Sequence, residues 1–187
     1  MTVRIVPLEA PYPAEVEQQL RSMMPAGVPP IALFRTFAKN LPMARAMGEW
    51  GRRELSRELS VTLRDREIII DRTCARCGCE YEWGVHVAFF AARADLSPAQ
   101  VTSVTHGDHR DPCWGAERDR LLIRLADQLH DRAQVSDGLW EDLAPEFTEG
   151  QLLDLTMLCG WYHAISFTAN AARVPLEDGA PTFDAVR

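Results

Sequence analysis

Apolar residues recur every three or four positions along most of this chain, and this period constrains its fold more than any other feature. The clearest stripe comprises Leu121, Leu122, Leu125 and Leu129. No stretch shows the alternating apolar and polar pattern that is typical of a half-buried strand. The sequence therefore predicts an all-α fold, a bundle of roughly seven to nine helices.

Local signals place several helix boundaries. Thr62, Ser97 and Thr148 each precede an acidic or amide residue by three positions, the spacing of a capping box at a helix start. A helix is expected to break around Cys77 and Gly78, because glycine is a poor interior residue. The helix that follows is predicted to run from about Cys79 to Ala94.

Length and composition fit one soluble domain over residues 1–187, preceded by an extended N-terminal arm at residues 1–13. A net charge of −7 argues against a nucleic-acid surface. No apolar run approaches the roughly 20 residues that span a bilayer, so no membrane role is expected. The five cysteines come without a secretory signal, which favours a cytoplasmic location with reduced thiols.

The stretch from Glu67 to His86 concentrates the residues that carry chemistry. On the predicted helix Cys79, Glu82 and His86 stand at positions i, i+3 and i+7, so the three share one face. Glu67 lies on the preceding helix and is expected to face them across the groove. A thiol, an imidazole and two carboxylates together can transfer protons or attack an electrophile.

Each of these residues also has a structural explanation. A free cysteine is commonly a small buried hydrophobe, and a lone histidine is commonly a hydrogen-bonded core residue. Glu67 could pair with a nearby arginine, namely Arg66, Arg72 or Arg76. Trp83, Trp114, Trp161 and Tyr162 could line a pocket, although core packing is the commoner role of aromatic residues at helical spacing. His163, on the last long helix, could approach the site, although a hydrogen-bonded core histidine is the commoner case.

The spacing Glu67-x11-Cys79-x2-Glu82-x3-His86 resembles the active-site stretch of the carboxymuconolactone decarboxylase and alkylhydroperoxidase (AhpD-like) superfamily. Its peroxidase branch carries Glu-x11-Cys-x2-Cys-x3-His. The resemblance covers residues 31–176 and includes four further segments: Asn40–Arg45, Arg66–Glu67, Leu121–Leu129 and Gly160–Asn170. It implies an AhpD-like helical bundle that forms a homo-oligomer, whether dimer, trimer or hexamer.

One position departs from the peroxidase pattern, because Glu82 stands where that branch has its second cysteine. The resemblance implies a cofactor-independent enzyme in which Glu67, Cys79, Glu82 and His86 act on a small-molecule substrate, as in a decarboxylase. The first alternative is a thiol-dependent alkylhydroperoxidase, with Cys79 as the attacking thiolate and Cys77 or a thiol reductant resolving the oxidised sulfur. The second alternative is a non-catalytic oligomer that binds a ligand.

No cofactor and no metal site is expected from the sequence. Cys74, Cys77, Cys79 and His86 could offer four ligands, but they lack the second, well-separated ligand pair of structural zinc sites. His106 and His109 form a weaker candidate pair in a polar loop.

Overall fold

The computed structural model describes residues 2–187, and these residues form α-helices and one 3₁₀ turn without any strand. The all-α prediction is confirmed, and the number of helices in the described residues falls within the predicted range. The elements are α1 Ala14–Ser22, α2 Ala32–Phe37, α3 Leu41–Glu54, α4 Leu63–Arg76, α5 Glu80–Phe90, α6 Pro98–His106, α7 Glu117–Arg132, α8 Asp137–Leu143, α9 Glu149–Ala172 and the 3₁₀ turn Phe183–Val186.

Helix α4 is the central element of the fold and packs against α5, α6, α7 and α9. Every residue from Asp65 to Cys74 is buried, and Ile68, Ile69 and Ile70 are fully inaccessible to solvent. Three consecutive residues can all be buried only when neighbours surround the helix. Each buried isoleucine contributes about 1.5–3 kcal/mol relative to an exposed one.

Arginine–aspartate pairs fix α4 against α7. Arg64 lies 2.8 Å from Asp119, and Arg72 lies 2.7 Å from Asp127. The separation in sequence is the same for both pairs, so the two helices run in the same direction with one register. Arg72 also donates to the carbonyl of Val104 at 3.0 Å, which joins α6 to the same assembly.

The predicted capping boxes at Thr62, Ser97 and Thr148 are all present. The predicted end of the helix after Cys79 was wrong, because α5 ends at Phe90 and a turn follows. Asp95 closes that turn with a left-handed φ of 55°. The apolar period continues through the turn, and for that reason it could not mark the end of the helix.

The N-terminal arm contains no helix within residues 2–13; Met1 lies outside the described residues. The arm packs against the end of α9 in the same chain: the backbone N–H groups of Arg4 and Ile5 donate to the carbonyl of Ala172 at 3.0 and 3.1 Å. Among the described residues, no helix combines the length and the apolar character that a membrane crossing requires.

Candidate active site

Glu67 and His86 meet where α4 and α5 pack as an antiparallel pair. The chain reverses at Gly78, whose φ of 59° lies in the left-handed region that glycine tolerates best. The backbone N–H of Cys79 then donates to the carbonyl of Cys74 at 2.9 Å. This short connection brings Nδ1 of His86 to 2.8 Å from Oε2 of Glu67.

The second nitrogen of the His86 ring also has partners. Nε2 lies 3.1 Å from the hydroxyl of Tyr162 on α9 and 3.5 Å from Oε1 of Glu82 on α5. The Tyr162 ring stands edge-on to the imidazole, with 5.1 Å between the ring centroids. Three helices therefore hold the imidazole in one orientation.

This environment keeps His86 protonated at neutral pH. Burial alone would lower the pKa of His86, but the charge of Glu67 and the hydrogen bonds to Glu67 and Glu82 outweigh burial and raise the pKa to about 10. An imidazolium ion is a proton donor, so the resting side chain is prepared to act as a general acid.

We expect the free energy of unfolding to decrease as the pH is raised from 7 to 10. A histidine with a raised pKa adds stability that is complete below its unfolded value of 6.5 and is lost as the pH passes about 10. The loss is on the order of several kcal/mol, at about 1.4 kcal/mol per pKa unit. Chemical denaturation of the wild type and of His86→Gln at several pH values measures it.

The difference between these two proteins isolates His86, because the buried thiols and tyrosines titrate in both. His109→Gln is the matched control, since His109 lies in the loop after α6. It should retain the wild-type pH dependence. Equal slopes for the wild type and His86→Gln would contradict the raised pKa.

Arg66 and Asp71, both on α4, complete the cluster. Arg66 donates from Nε to Oε1 of Glu67 at 2.6 Å, so Glu67 bridges an arginine and a histidine. Asp71 is fully buried, and neither of its carboxylate oxygens has a hydrogen-bond partner within residues 2–187. Burial and the charge of Glu67 hold the pKa of Asp71 well above its ordinary value, and the nearby His86 opposes this rise.

Glu82 stands at the position where the peroxidase pattern that the sequence resembles has its second cysteine. Its side chain is buried, with Oε1 turned toward His86. The other oxygen, Oε2, has no hydrogen-bond partner among the residues described. Burying a carboxylate oxygen without a hydrogen bond lowers the stability of the fold, and groups of this kind are found preferentially at functional sites.

Cys79 is the N-cap residue of α5 and is fully buried. Burial raises the pKa of the Cys79 thiol to about 11; the backbone N–H of Glu82 opposes this rise, and the Glu82 charge adds to it. Burial also raises the pKa of Cys74 and of Cys77, and the Ser166 hydroxyl opposes the rise at all three thiols. Ser166 on α9 donates its hydroxyl to the Cys74 sulfur at 3.8 Å.

The proposed resolving thiol, Cys77, differs from its two neighbours in exposure. It is half-buried, whereas Cys74 and Cys79 are buried, and all five cysteines of the chain are free. Its sulfur lies 3.8 Å from Nδ1 of His130 on α7. The Cys77 sulfur thus lies near His130 of α7 and His163 of α9.

The four predicted site residues are nearly closed to solvent in the single chain. His86 is 3% exposed and Glu82 is 6% exposed. The half-buried ring of Phe90 lies 5.3 Å from the His86 ring and 5.0 Å from the Arg66 guanidinium carbon. Phe90 is therefore a partly solvent-accessible ring in contact with the imidazole.

A surface cleft of about 460 Å³ lies along a different part of α5. Its walls come from Pro29–Ala32, from Val85 and Phe89, and from residues 175–180. None of the four predicted site residues lines this cleft, so it does not form part of the Glu67–His86 site.

Sequence reasoning missed three members of the site. Asp71 had a signal, since it stands four residues after Glu67 and so shares its helix face. The sequence indicated mainly a core role for Tyr162. The residue is buried, but its hydroxyl also lies within hydrogen-bond distance of His86. Ser166, one turn further along α9, had no signal in the sequence.

The metal candidates drawn from the sequence do not assemble. Cys74, Cys77, Cys79 and His86 are not gathered within ligand distance of a common centre among the residues described. His106 instead places Nε2 at 2.9 Å from the carbonyl of Phe183.

The fold is shared with a solved enzyme. The apo structure of the debrominase Bmp8 has a TM-score of 0.75 and 18% identity, covering 100% of both chains. A cysteine-to-alanine variant of Bmp8 in complex with 2,3,4-tribromopyrrole has a TM-score of 0.75 and 17% identity, covering 100% of this chain and 99% of the other. This chain has the fold of Bmp8. At such identities the likeness shows the fold alone. No protein-family model matches the sequence, and no curated protein matches it.

Proposed function

We propose that this protein is an AhpD-like enzyme of the carboxymuconolactone decarboxylase type, which uses the Cys79 thiol to reduce a small electrophilic molecule. The observation that carries the proposal is the 2.8 Å contact between Glu67 and His86, both buried, on the helix pair whose second member begins at the buried Cys79. The motif spacing supports the AhpD-like assignment. The shared fold of Bmp8, with its bound bromopyrrole in a cysteine variant, supports thiol chemistry on a small ring.

The chemical step is a two-electron transfer from sulfur. With a hydroperoxide, the Cys79 sulfur bonds to the outer oxygen, the O–O bond breaks, and the departing alkoxide takes a proton from His86. The thiol proton passes to Glu82, whose Oε1 lies 3.5 Å from the ring and can reprotonate it. The products are an alcohol and a sulfenic acid on Cys79.

A brominated aromatic ring would be reduced through the same groups. Sulfur takes the bromine, the carbon–bromine bond breaks, and the ring carbon takes the proton of His86. A thiol reductant then attacks the brominated sulfur, releases bromide and forms a disulfide, and a second thiol restores Cys79. The net reaction consumes two thiols and yields the debrominated ring, a disulfide and hydrogen bromide.

Glu82 determines where the second thiol must come from. Because no cysteine stands one turn after Cys79, the resolving sulfur is either Cys77 or a small external thiol. A reducing compartment such as the cytoplasm would supply that thiol. The substrate would approach past Phe90, the half-buried ring against His86.

A second candidate function is proton transfer without sulfur chemistry, as in decarboxylation of a small lactone or keto acid. The observation in its favour is the imidazolium of His86 among three carboxyl groups, those of Glu67, Asp71 and Glu82. In that mechanism Cys79 would be a buried packing residue. A non-catalytic, ligand-binding protein remains the third candidate.

Mass spectrometry of the reduced protein distinguishes these candidates. Stoichiometric cumene hydroperoxide or 2,3,4-tribromopyrrole is added, and the oxidation state of each cysteine is followed over time, with Cys113 as an internal control. Rapid oxidation at Cys79 ahead of the half-buried Cys113 supports the thiol mechanism. A Cys79 that stays reduced with both reagents would overturn it.

The proposal includes a homo-oligomer, because one face of α9 is apolar and exposed. Leu153, Met157 and Phe167 are 67%, 47% and 62% exposed and lie on one side of the helix. Exposed apolar patches of this kind commonly mark protein interfaces. We expect sedimentation to show an oligomer for the wild type and a monomer for Leu153→Glu/Phe167→Glu. A monomeric wild type would contradict this.

A further inference from the structure

A second cluster of metal-binding side chains lies outside the Glu67–His86 site. Cys77 caps the C-terminus of α4, His130 belongs to the last turn of α7, and His163 lies in the middle of α9. Their ligand atoms all lie within 4.8 Å of one another, and all three residues are half-buried. The sequence did not suggest this group, because its members are 53 and 33 residues apart.

The distances within the cluster match those between ligands of one tetrahedral ion. Zn–N bonds of about 2.0–2.1 Å and Zn–S bonds of about 2.3 Å place S and N about 3.6 Å apart and two nitrogens about 3.4 Å apart. Here Sγ of Cys77 lies 3.8 Å from Nδ1 of His130, and that nitrogen lies 3.1 Å from Nε2 of His163. An ion could therefore enter with shifts of a few tenths of an ångström at these two contacts.

The orientation of His163 is already that of a metal ligand. Its Nδ1–H donates to the backbone carbonyl of Cys159 at 2.8 Å. This hydrogen bond fixes the tautomer, so Nε2 presents a lone pair to His130 and Cys77. Metal-binding histidines almost always carry such a hydrogen bond on the other nitrogen. Phe167 packs edge-on against the same ring and restricts its rotation.

We propose that Cys77, His130 and His163 bind a zinc ion. One thiolate and two imidazoles form a borderline-soft donor set that suits Zn²⁺ better than Mg²⁺ or Ca²⁺, which prefer oxygen ligands. Three protein ligands leave the fourth tetrahedral position for water or for an external molecule. The three ligands come from different helices, so the ion would also cross-link α4, α7 and α9.

Zinc binding would have a consequence for the neighbouring thiol site. A sulfur that is bonded to zinc is not free to attack an oxidised sulfur on Cys79, two residues away. Occupancy of the zinc site would then leave only an external thiol to resolve Cys79. This consequence depends on the proposed thiol function, whereas zinc binding itself does not.

The test uses the full chain, reduced and metal-free, with Co²⁺ as the probe and Zn²⁺ as the competitor. We expect one equivalent of Co²⁺ to produce thiolate-to-cobalt charge-transfer absorption and the intense visible bands of tetrahedral cobalt, both abolished by one equivalent of Zn²⁺. His163→Ala should weaken binding by more than about 100-fold, because losing even an outer-shell partner costs about 10- to 100-fold. His109→Ala, which removes a histidine outside the cluster, should bind as the wild type does.

A second measurement needs no variant of the cluster. Zn²⁺ should slow the alkylation of Cys77 in the wild type by at least about tenfold, with little effect on Cys113, because a metal-bound thiolate is not free to react. Absence of the charge-transfer band, or equal cobalt affinity for the wild type and His163→Ala, would overturn the proposal. Either result would mean that His130 and His163 form a hydrogen-bonded pair only.

Discussion

Replacing Cys79 with serine is expected to lower kcat/KM for thiol-dependent reduction by more than about 1000-fold, as the loss of a nucleophile typically does. A serine hydroxyl cannot take up oxygen or bromine and then be restored by a thiol. Position 79 would therefore have no atom that can supply the two electrons. The measurement is turnover of cumene hydroperoxide or tribromopyrrole with excess dithiothreitol, followed by product chromatography.

The control for this substitution is Cys113→Ser. Cys113 is half-buried in the segment between α6 and α7, and its carbonyl, not its thiol, accepts a hydrogen bond from Gln100. This variant should retain wild-type turnover. A hydroxyl at the fully buried position 79 can cost about 1–3 kcal/mol if it finds no partner, so Cys79→Ala serves as a second variant without a polar group.

The two variants at position 79 also distinguish the candidate mechanisms. If Cys79→Ala is folded by circular dichroism and still turns over substrate within about tenfold of the wild type, an effect below the usual one for a nucleophile, then sulfur is not the reacting atom. Acid–base chemistry at His86 would then be the remaining enzymatic function. Loss of turnover in both Cys79 variants, with Cys113→Ser active, is the outcome that the thiol mechanism requires.

The pairing of Glu67 with His86 could be predicted because its determinants are local. The break at Gly78 and the short link to Cys79 make α4 and α5 an antiparallel pair. Helical spacing then places Glu82 and His86 on one face, one turn apart. Once a chain reversal and two helix faces are known, few arrangements of the side chains remain.

The partners supplied by α9 could not be predicted in the same way. Tyr162 and Ser166 are 76 and 92 residues from the groups they contact, namely His86 and Cys74. The apolar period showed that this side of α9 is buried, but it contains no information about which helix lies opposite. The same limitation hid the cluster of Cys77, His130 and His163, whose members are ordinary residues on three separate helices.

Asp71 illustrates a second kind of property that the sequence does not predict. Its position on the helix face of Glu67 could be read from the sequence, but the direction of its pKa shift could not. The pKa of Asp71 rises because the group is buried beside the Glu67 charge without a hydrogen-bond partner in residues 2–187. Burial depth and the absence of a partner are properties of the packed structure, and a sequence pattern reports neither.

Replacing His86 with glutamine is expected to lower kcat by about 100- to 10,000-fold, the usual contribution of a positioned general acid. Glutamine keeps an amide near Glu67 but has no proton to give to the departing fragment. Since the pKa of His86 is raised to about 10, wild-type activity that depends on the imidazolium should persist through neutral pH and decline as the pH approaches 10. The pH profile of kcat for both proteins is the measurement.

Tyr162→Phe is the matched comparison for this substitution. It removes the hydroxyl 3.1 Å from Nε2 and keeps the imidazole, the Glu67 contact and nearly the same volume. Its kcat should decrease by less than about tenfold, because a neutral hydrogen bond contributes about 0.5–1.5 kcal/mol. If instead both variants lose activity equally and KM rises while kcat is unchanged, the cluster binds substrate and does not deliver the proton. A folded His86→Gln protein with wild-type kcat would exclude the proton relay altogether and leave the Cys79 sulfur acting alone.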